Sequence, residues 1–265
     1  MMKMYVADAF TDQLFHGNPA AVCFVDRWPR EELMMKIAMG NRFSETAFAI
    51  RRTASQYDLR WFTPGGEIGL CGHTTLATAF IIFQTAAPED TDTITFTTTK
   101  SGQLTVTKID DRYEMIFPSY QLQKIAVTDE MATAFGERPL EAYLGRDLLC
   151  VFDDPEKVVA MKPNQKRLAQ LPGLLQNVTA PGKQYDCVSR SFAPKLKVPE
   201  DPVCGSGHCH IIPYWAKRLG KNQLVAYQAS QRGGVLYCTY EGERTKLAGK
   251  AVLYSSGQLH LNEDD

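Results

Sequence analysis

The chain has 265 residues, 44% of them hydrophobic and 22% charged, with 29 Lys plus Arg against 30 Asp plus Glu. That length suffices for a sizeable core and for two domains of ordinary size, and the near-neutral balance excludes the basic excess of a nucleic-acid binder or an anionic-membrane anchor. No apolar run is long enough to span a bilayer, the N-terminus lacks a signal-peptide run, and seven cysteines without framework spacing point to a reduced, cytoplasmic setting.

Lys3–Phe10 and Ala20–Val25 read as strands around the turn His16-Gly17-Asn18-Pro19. Pro29 and the acids Glu31 and Glu32 mark a helix start, and Gly40-Asn41 its end. Arg42–Ile50 and Tyr57–Phe62 read as strands, with Glu45 at the start of the former in an otherwise apolar setting. Gly72 opens a helix through about Phe83 that is apolar on most sides, so it should be buried. Three β runs follow, at 94–96, 104–109 and 113–117, and the segment 118–124 is the expected linker.

Beyond it, Asp129–Phe135 reads as a short helix closed by Gly136, Leu148–Phe152 as a strand, Asn164–Leu171 as helical, and Tyr185–Phe192 as a strand. Gly205–Leu219 is the second long helix, stopped by Gly220, with a kink or late start expected at Pro213. Closing strands are expected at 233–240, 246–254 and 258–261.

One pattern occurs twice. Arg60-Trp61-Phe62-Thr63-Pro64 precedes Cys71-Gly72-His73 by six residues, and Arg190-Ser191-Phe192-Ala193-Pro194 precedes Cys204-Gly205-Ser206-Gly207-His208 by nine. Arg-x-Phe-small-Pro, a loop, then Cys-Gly opening a helix, indicates two related halves. The expected division is 1–117, with the C-terminal strand a candidate to complete it, and 125–265.

The first N–H groups of a helix lack internal partners and face the positive end of the dipole. Gly72-His73 and Gly205-Ser206-Gly207 are therefore candidate anion cradles for a substrate carboxylate. A thiol at such a place becomes a better proton acceptor, which makes Cys71 and Cys204 candidate acid/base groups. Glu45, set among apolar neighbours, is a candidate for holding or giving a proton near neutrality. Asp201 is placed to cap the second helix or hold a cation. His73 reads equally as a donor to substrate or as a packed imidazole. The Cys and His spacings, His208 and His210 included, match no zinc pattern, and the glycines match no nucleotide-binding fingerprint; no metal and no cofactor are expected.

The strings Asp8-Ala9-Phe10, Gly17-Asn18-Pro19-Ala20-Ala21-Val22, Ser44-Glu45-Thr46-Ala47-Phe48, Arg60-Trp61-Phe62-Thr63-Pro64, Leu70-Cys71-Gly72-His73, Phe117-Pro118 and Glu200-Asp201-Pro202-Val203 with Gly205-Ser206 occur in this order along nearly the whole chain. In them the sequence resembles the phenazine-biosynthesis F-type (PhzF-like) isomerases. The resemblance implies an α+β, diaminopimelate epimerase-like fold: two pseudo-symmetric halves, each a β-barrel-like sheet around a central helix. It implies a cofactor-independent isomerase, usually a homodimer, acting on a small carboxylate-bearing substrate. The proton shuttle falls on Glu45, with His73 and Asp201 assisting, and Gly72, Ser206, Gly205 and Asn18 at substrate-binding positions. Cys71 with Cys204 looks more like the thiol pair of the epimerases and racemases. A two-thiol epimerase is therefore the alternative, with a non-catalytic binding protein of the same fold as a third reading.

Overall fold

In the computed structural model, which describes residues 2–261, the first part of the chain forms β1 (Met2–Ala9), β2 (Asn18–Phe24), α1 (Glu31–Asn41), β3 (Thr46–Arg51), β4 (Gln56–Thr63), β5 (Gly66–Ile68), α2 (Gly72–Thr85), β6 (Thr93–Thr98), β7 (Gly102–Ile109) and β8 (Arg112–Pro118). Then come β9 (Gln123–Ile125), α3 (Asp129–Phe135), β10 (Glu141–Leu144), β11 (Leu148–Val151), α4 (Pro155–Ala160), α5 (Gln165–Leu168), β12 (Gln176–Pro181), β13 (Cys187–Ala193), β14 (Val198–Asp201), α6 (Gly205–Leu219), β15 (Gln223–Gln228), β16 (Gly234–Glu241), β17 (Arg244–Gly249) and β18 (Ala251–Leu259). The chain divides into two compact units. One runs to Met115 and takes in the segment from Ala248 onward; the other is Ile116–Leu247.

The two units repeat one topology, pairing by pairing. In the first, β1 lies antiparallel to β2, β2 parallel to β3, β3 antiparallel to β4, β4 antiparallel to β5 and parallel to β6, and β6 antiparallel to β7. In the second, β10, β11, β12, β13, β14, β15 and β16 take those places in the same order and sense. β18 runs antiparallel to β1, as β9 does to β10. Each unit has two parallel pairs, and the second crossover of each, from β4 to β6 and from β13 to β15, carries its longest helix, consistent with the rule that parallel neighbours need such a connection.

That helix is the centre of each unit. Every residue of α2 from His73 to Ile82 is buried, and it packs against β1, β2, β3, β7 and β18. α6 buries Gly205 and the whole run Gly207–Ala216 against β12, β13, β15 and β16. A helix apolar on most sides can be stable only where protein surrounds it. Among the described residues no helix is long and apolar enough to cross a membrane.

Several local expectations needed correction. α1 continues through Gly40 and Asn41, and its left-handed cap is Arg42 at φ 57°. The run expected as one strand at 246–254 is two, β17 and β18. The Lys250 carbonyl between them accepts from the N–H groups of Phe10 and Thr11 (2.8 and 3.2 Å), and Gly249 is bare because a Cβ there would meet the Phe10 ring at 2.4 Å. The segment expected as a linker is pinned: Ser119 N–H donates to the Glu243 carbonyl and Tyr120 N–H to the Cys209 carbonyl. The second contact also explains why α6 runs unbroken past Pro213. A proline there offers no N–H to the carbonyl four residues back, and Tyr120 supplies it (3.0 Å). The helical stretch expected at 164–171 is only α5, and β12 follows it unannounced, because its Gln, Asn and Thr hide a strand buried up to its last residue.

Candidate active site

Glu45 sits in the lead-in to β3, directly after α1. Asn41 Nδ2 donates to Thr46 Oγ1 (3.0 Å), tying the end of that helix to the first residue of the strand. His73 lies in the first turn of α2, 5% exposed. The His73 Nε2 is 3.4 Å from Glu45 Oε2. This is an ion-pair distance without the alignment of a hydrogen bond, since both atoms are buried and neither has a hydrogen-bond partner. The other ring nitrogen, Nδ1, is 3.5 Å from Cys71 Sγ, and that sulfur is 2.9 Å from Thr74 Oγ1. Thr75 Oγ1 donates to the Cys71 carbonyl (2.6 Å), closing the first turn. Glu45, His73 and Cys71 thus form one row, carboxyl to imidazole to thiol.

An unsatisfied buried polar atom costs on the order of 1–3 kcal/mol, and most native structures hold few of them. Two that face each other call for a physical reason beyond packing. A carboxyl with an imidazole at its side can take a proton from a weak carbon acid and return it, while the ring donates to a developing negative charge.

In the second unit, Asp201 ends β14, half-buried, with Oδ1 accepting from Val203 N–H (3.2 Å). Cys204 caps α6: its sulfur accepts from Gly207 N–H (3.3 Å) and lies 3.4 Å from Ser206 Oγ. Gln228, which nothing in the sequence singles out, clamps this turn. Its Oε1 accepts from Cys204 N–H (2.9 Å) and its Nε2 donates to the Asp201 carbonyl (2.6 Å). The tight glycine is Gly207, where a Cβ would meet Asn177 Oδ1 at 2.6 Å and Ser191 Oγ at 2.8 Å; a Cβ on Gly205 would make only ordinary contact with Leu247 at 3.6 Å. Asn18 is fully buried at the start of β2.

Two effects compete at the Cys204 thiol, a candidate acid/base group by its place at a helix N-terminus. Desolvation pushes it well above the ordinary thiol value and the Asp201 charge adds to the rise, while the Ser206 and Gly207 hydrogen bonds act in the opposite direction.

The buried imidazoles of α6 act within the fold. His208 bridges the Cys204 carbonyl (Nδ1, 2.8 Å) and Ser189 Oγ (Nε2, 3.2 Å). The Nε2 of His210 accepts from Asp147 N–H (3.1 Å), and its ring stacks on Tyr120 at 4.2 Å. Asp147 is in turn held bidentately by Arg146.

Strand register places the two groups of residues on one repeated pattern. Thr46 pairs with Phe62 and Gln176 with Phe192, each phenylalanine two residues past its repeated arginine. The position matching Glu45 is therefore Leu175, and the one matching His73, two past the capping cysteine, is Ser206. Both helix starts carry a cysteine, whereas the carboxyl and the imidazole stand only in the first repeat.

Comparison with known proteins agrees with this architecture. Residues 7–257 match the family model described as phenazine biosynthesis-like protein. An uncharacterized isomerase of Pseudomonas aeruginosa is 43% identical over 98% of this chain and 99% of its own. The crystal structure of a PhzF-family phenazine biosynthesis protein from Enterococcus faecalis superposes with a TM-score of 0.95 at 45% identity, covering 98% of this chain and 99% of that one. A probable proline racemase from Agrobacterium radiobacter shares the fold alone, with a TM-score of 0.68 at 11% identity, covering 100% of this chain and 94% of that one. The α+β, epimerase-like fold with its repeated half is thus the observed one, and the chain belongs to the phenazine biosynthesis-like (PhzF) family.

Proposed function

We propose that the protein is a cofactor-independent isomerase that moves a proton within a small carboxylate-bearing substrate, with Glu45 as the general acid/base. The observation that carries this reading is the Glu45–His73 contact: 3.4 Å apart, buried, and with both facing atoms lacking a hydrogen-bond partner. Glu45 takes a proton from a carbon beside a carbonyl or conjugated carboxylate and returns it to another carbon of the same molecule. His73 steadies the charge that develops between the two steps. Asp201 assists, and Gly72, Ser206, Gly205 and Asn18 are assigned to substrate binding. Leu175 at the position matching Glu45 supports a mechanism with one carboxyl. The two-thiol alternative requires Cys204 to surrender its proton in one direction of reaction, which its burial opposes. The same reading expects a cytoplasmic homodimer.

The test begins with a panel of small carboxylic acids ranked by thermal shift, then incubated with protein in deuterated solvent. Wild type is expected to exchange a C–H of its substrate. Glu45→Gln should lower that exchange by roughly 100-fold or more, the usual worth of a positioned acid/base. Undiminished exchange in the variant refutes the role of Glu45.

A further inference from the structure

Glu45, Cys71 and His73 each offer one ligand atom, and the three atoms lie within 4.8 Å of one another. The His73 side chain is 6% exposed, and its Nε2 points at Glu45 Oε2 without a hydrogen-bond partner on either atom. The donors are a thiol, an imidazole and a carboxyl, the set from which zinc sites are made. With Zn–S near 2.3 Å and Zn–N or Zn–O near 2.0–2.1 Å, adjacent ligands of a tetrahedral ion sit roughly 3.3–3.6 Å apart. Only one ring nitrogen can take the ion, so one ligand pair already falls in that range, 3.4 Å for Nε2–Oε2 or 3.5 Å for Nδ1–Sγ. The other pairs, within 4.8 Å, must close by roughly an ångström to reach the tetrahedral spacing.

We propose that Glu45, Cys71 and His73 bind a thiophilic divalent cation, Zn2+ being the best fit, with three protein ligands and a fourth position open to water. As the S–Zn bond forms, the thiol proton passes to solvent and the ion sheds water. The Thr74 hydroxyl, 2.9 Å from the sulfur, is placed to support the thiolate from outside the ligand set. Spacing along the chain conceals this site, because the carboxyl comes from the lead-in to β3 while the other two ligands open α2. A bound ion would occupy both Glu45 and His73, so Zn2+ acts as a reversible inhibitor of any proton transfer there. The inference goes beyond the isomerase reading and stands without it, since it rests on the donors alone.

The test uses the full chain and Co2+ as a coloured probe, followed by absorption spectroscopy. Wild type should develop a thiolate-to-cobalt charge-transfer band that saturates at about one ion per chain and is displaced by Zn2+. Cys71→Ser should abolish the band. His73→Asn and Glu45→Gln should each weaken Co2+ binding by roughly 100-fold or more, since even partners outside the ligand set are worth about 10- to 100-fold. Cys204→Ser should keep the band. No band in folded wild type overturns the proposal, as does a band that survives Cys71→Ser or is lost only in Cys204→Ser. Thermal unfolding checks each fold, and the three ligand variants read the same site independently. Intact Co2+ binding in a protein that exchanges no substrate C–H would sink the isomerase reading alone.

Discussion

Arg190 grips Glu200 through two hydrogen bonds, Nε to Oε1 at 2.7 Å and Nη2 to Oε2 at 2.8 Å, and lies over the Phe192 ring at 5.0 Å. Arg60 repeats the arrangement in the first unit. It meets Glu67 at 2.8 and 3.1 Å and lies over the Phe62 ring at 5.1 Å. Each glutamate stands four residues before the cysteine that caps a central helix. The repeated arginine is therefore the strut that holds the loop leading into each helix start, and its bidentate fork fixes direction as well as distance.

The two struts should differ in worth. The Nη1 of Arg190 also donates to the carbonyls of Val158, Val159 and Met161, whereas Arg60 reaches the exposed Glu31 and lies over the Trp28 ring at 5.5 Å. Arg190→Met strands a largely buried glutamate and several carbonyls, and should cost about 2–4 kcal/mol in urea unfolding. Arg60→Met should cost less, about 1–2 kcal/mol. Equal losses would show that the extra carbonyl contacts contribute nothing.

Gly207→Ala should destabilise by about 1–3 kcal/mol, because the new methyl would press on Asn177 Oδ1 and Ser191 Oγ, both fully buried and bonded to each other at 2.8 Å. Gly205→Ala, with only Leu247 nearby, should cost no more than about 1 kcal/mol. Thermal unfolding of the pair checks the ranking.

Stability should fall as the pH is lowered from about 6.5 toward 4. Burial holds His208 down to about 4, so across that window the unfolded chain binds a proton that the folded chain refuses. His210 is shifted in the same direction, again chiefly by burial. His208→Gln, which keeps a polar side chain and removes the titration, should flatten the dependence of unfolding free energy on pH between 7 and 4. An unchanged slope would show that His208 is not the group responsible.

Pro213→Ala should change stability by less than about 1 kcal/mol, against the roughly 3 kcal/mol that an interior proline costs in an unsupported helix. The carbonyl left without a helical donor is already served by Tyr120 N–H at 3.0 Å. A gain of several kcal/mol in urea unfolding would mean that this substitute bond is weak.

Local chemistry was readable from the order of residues because it acts within one turn. α3 runs from Asp129 to Phe135 and closes on Gly136 at φ 76°, and α6 runs from Gly205 to Leu219 and closes on Gly220 at φ 65°, where a left-handed cap favours glycine. The doubled Arg-x-Phe and Cys-Gly strings likewise marked two helices, each with its cysteine at the N-cap position, where Cys204 accepts a capping bond and Cys71 makes none. β12 escaped notice because its polar side chains are buried by partners distant in sequence, and the Lys250 break because a carbonyl was claimed by Phe10 and Thr11.

The amino-acid order by itself determined the family, the α+β class, the repeated half and the buried character of the two central helices, since all four rest on short strings and helical periodicity. Only the tertiary structure decided that β18 returns to β1, that Gln228 clamps the Asp201–Cys204 turn, that the Cys204 thiol is buried away from water, and that Glu45 meets His73 at 3.4 Å. Each of those depends on how much water is excluded and on which distant backbone comes alongside, and both are set by the packing of the whole unit rather than by any neighbour along the chain.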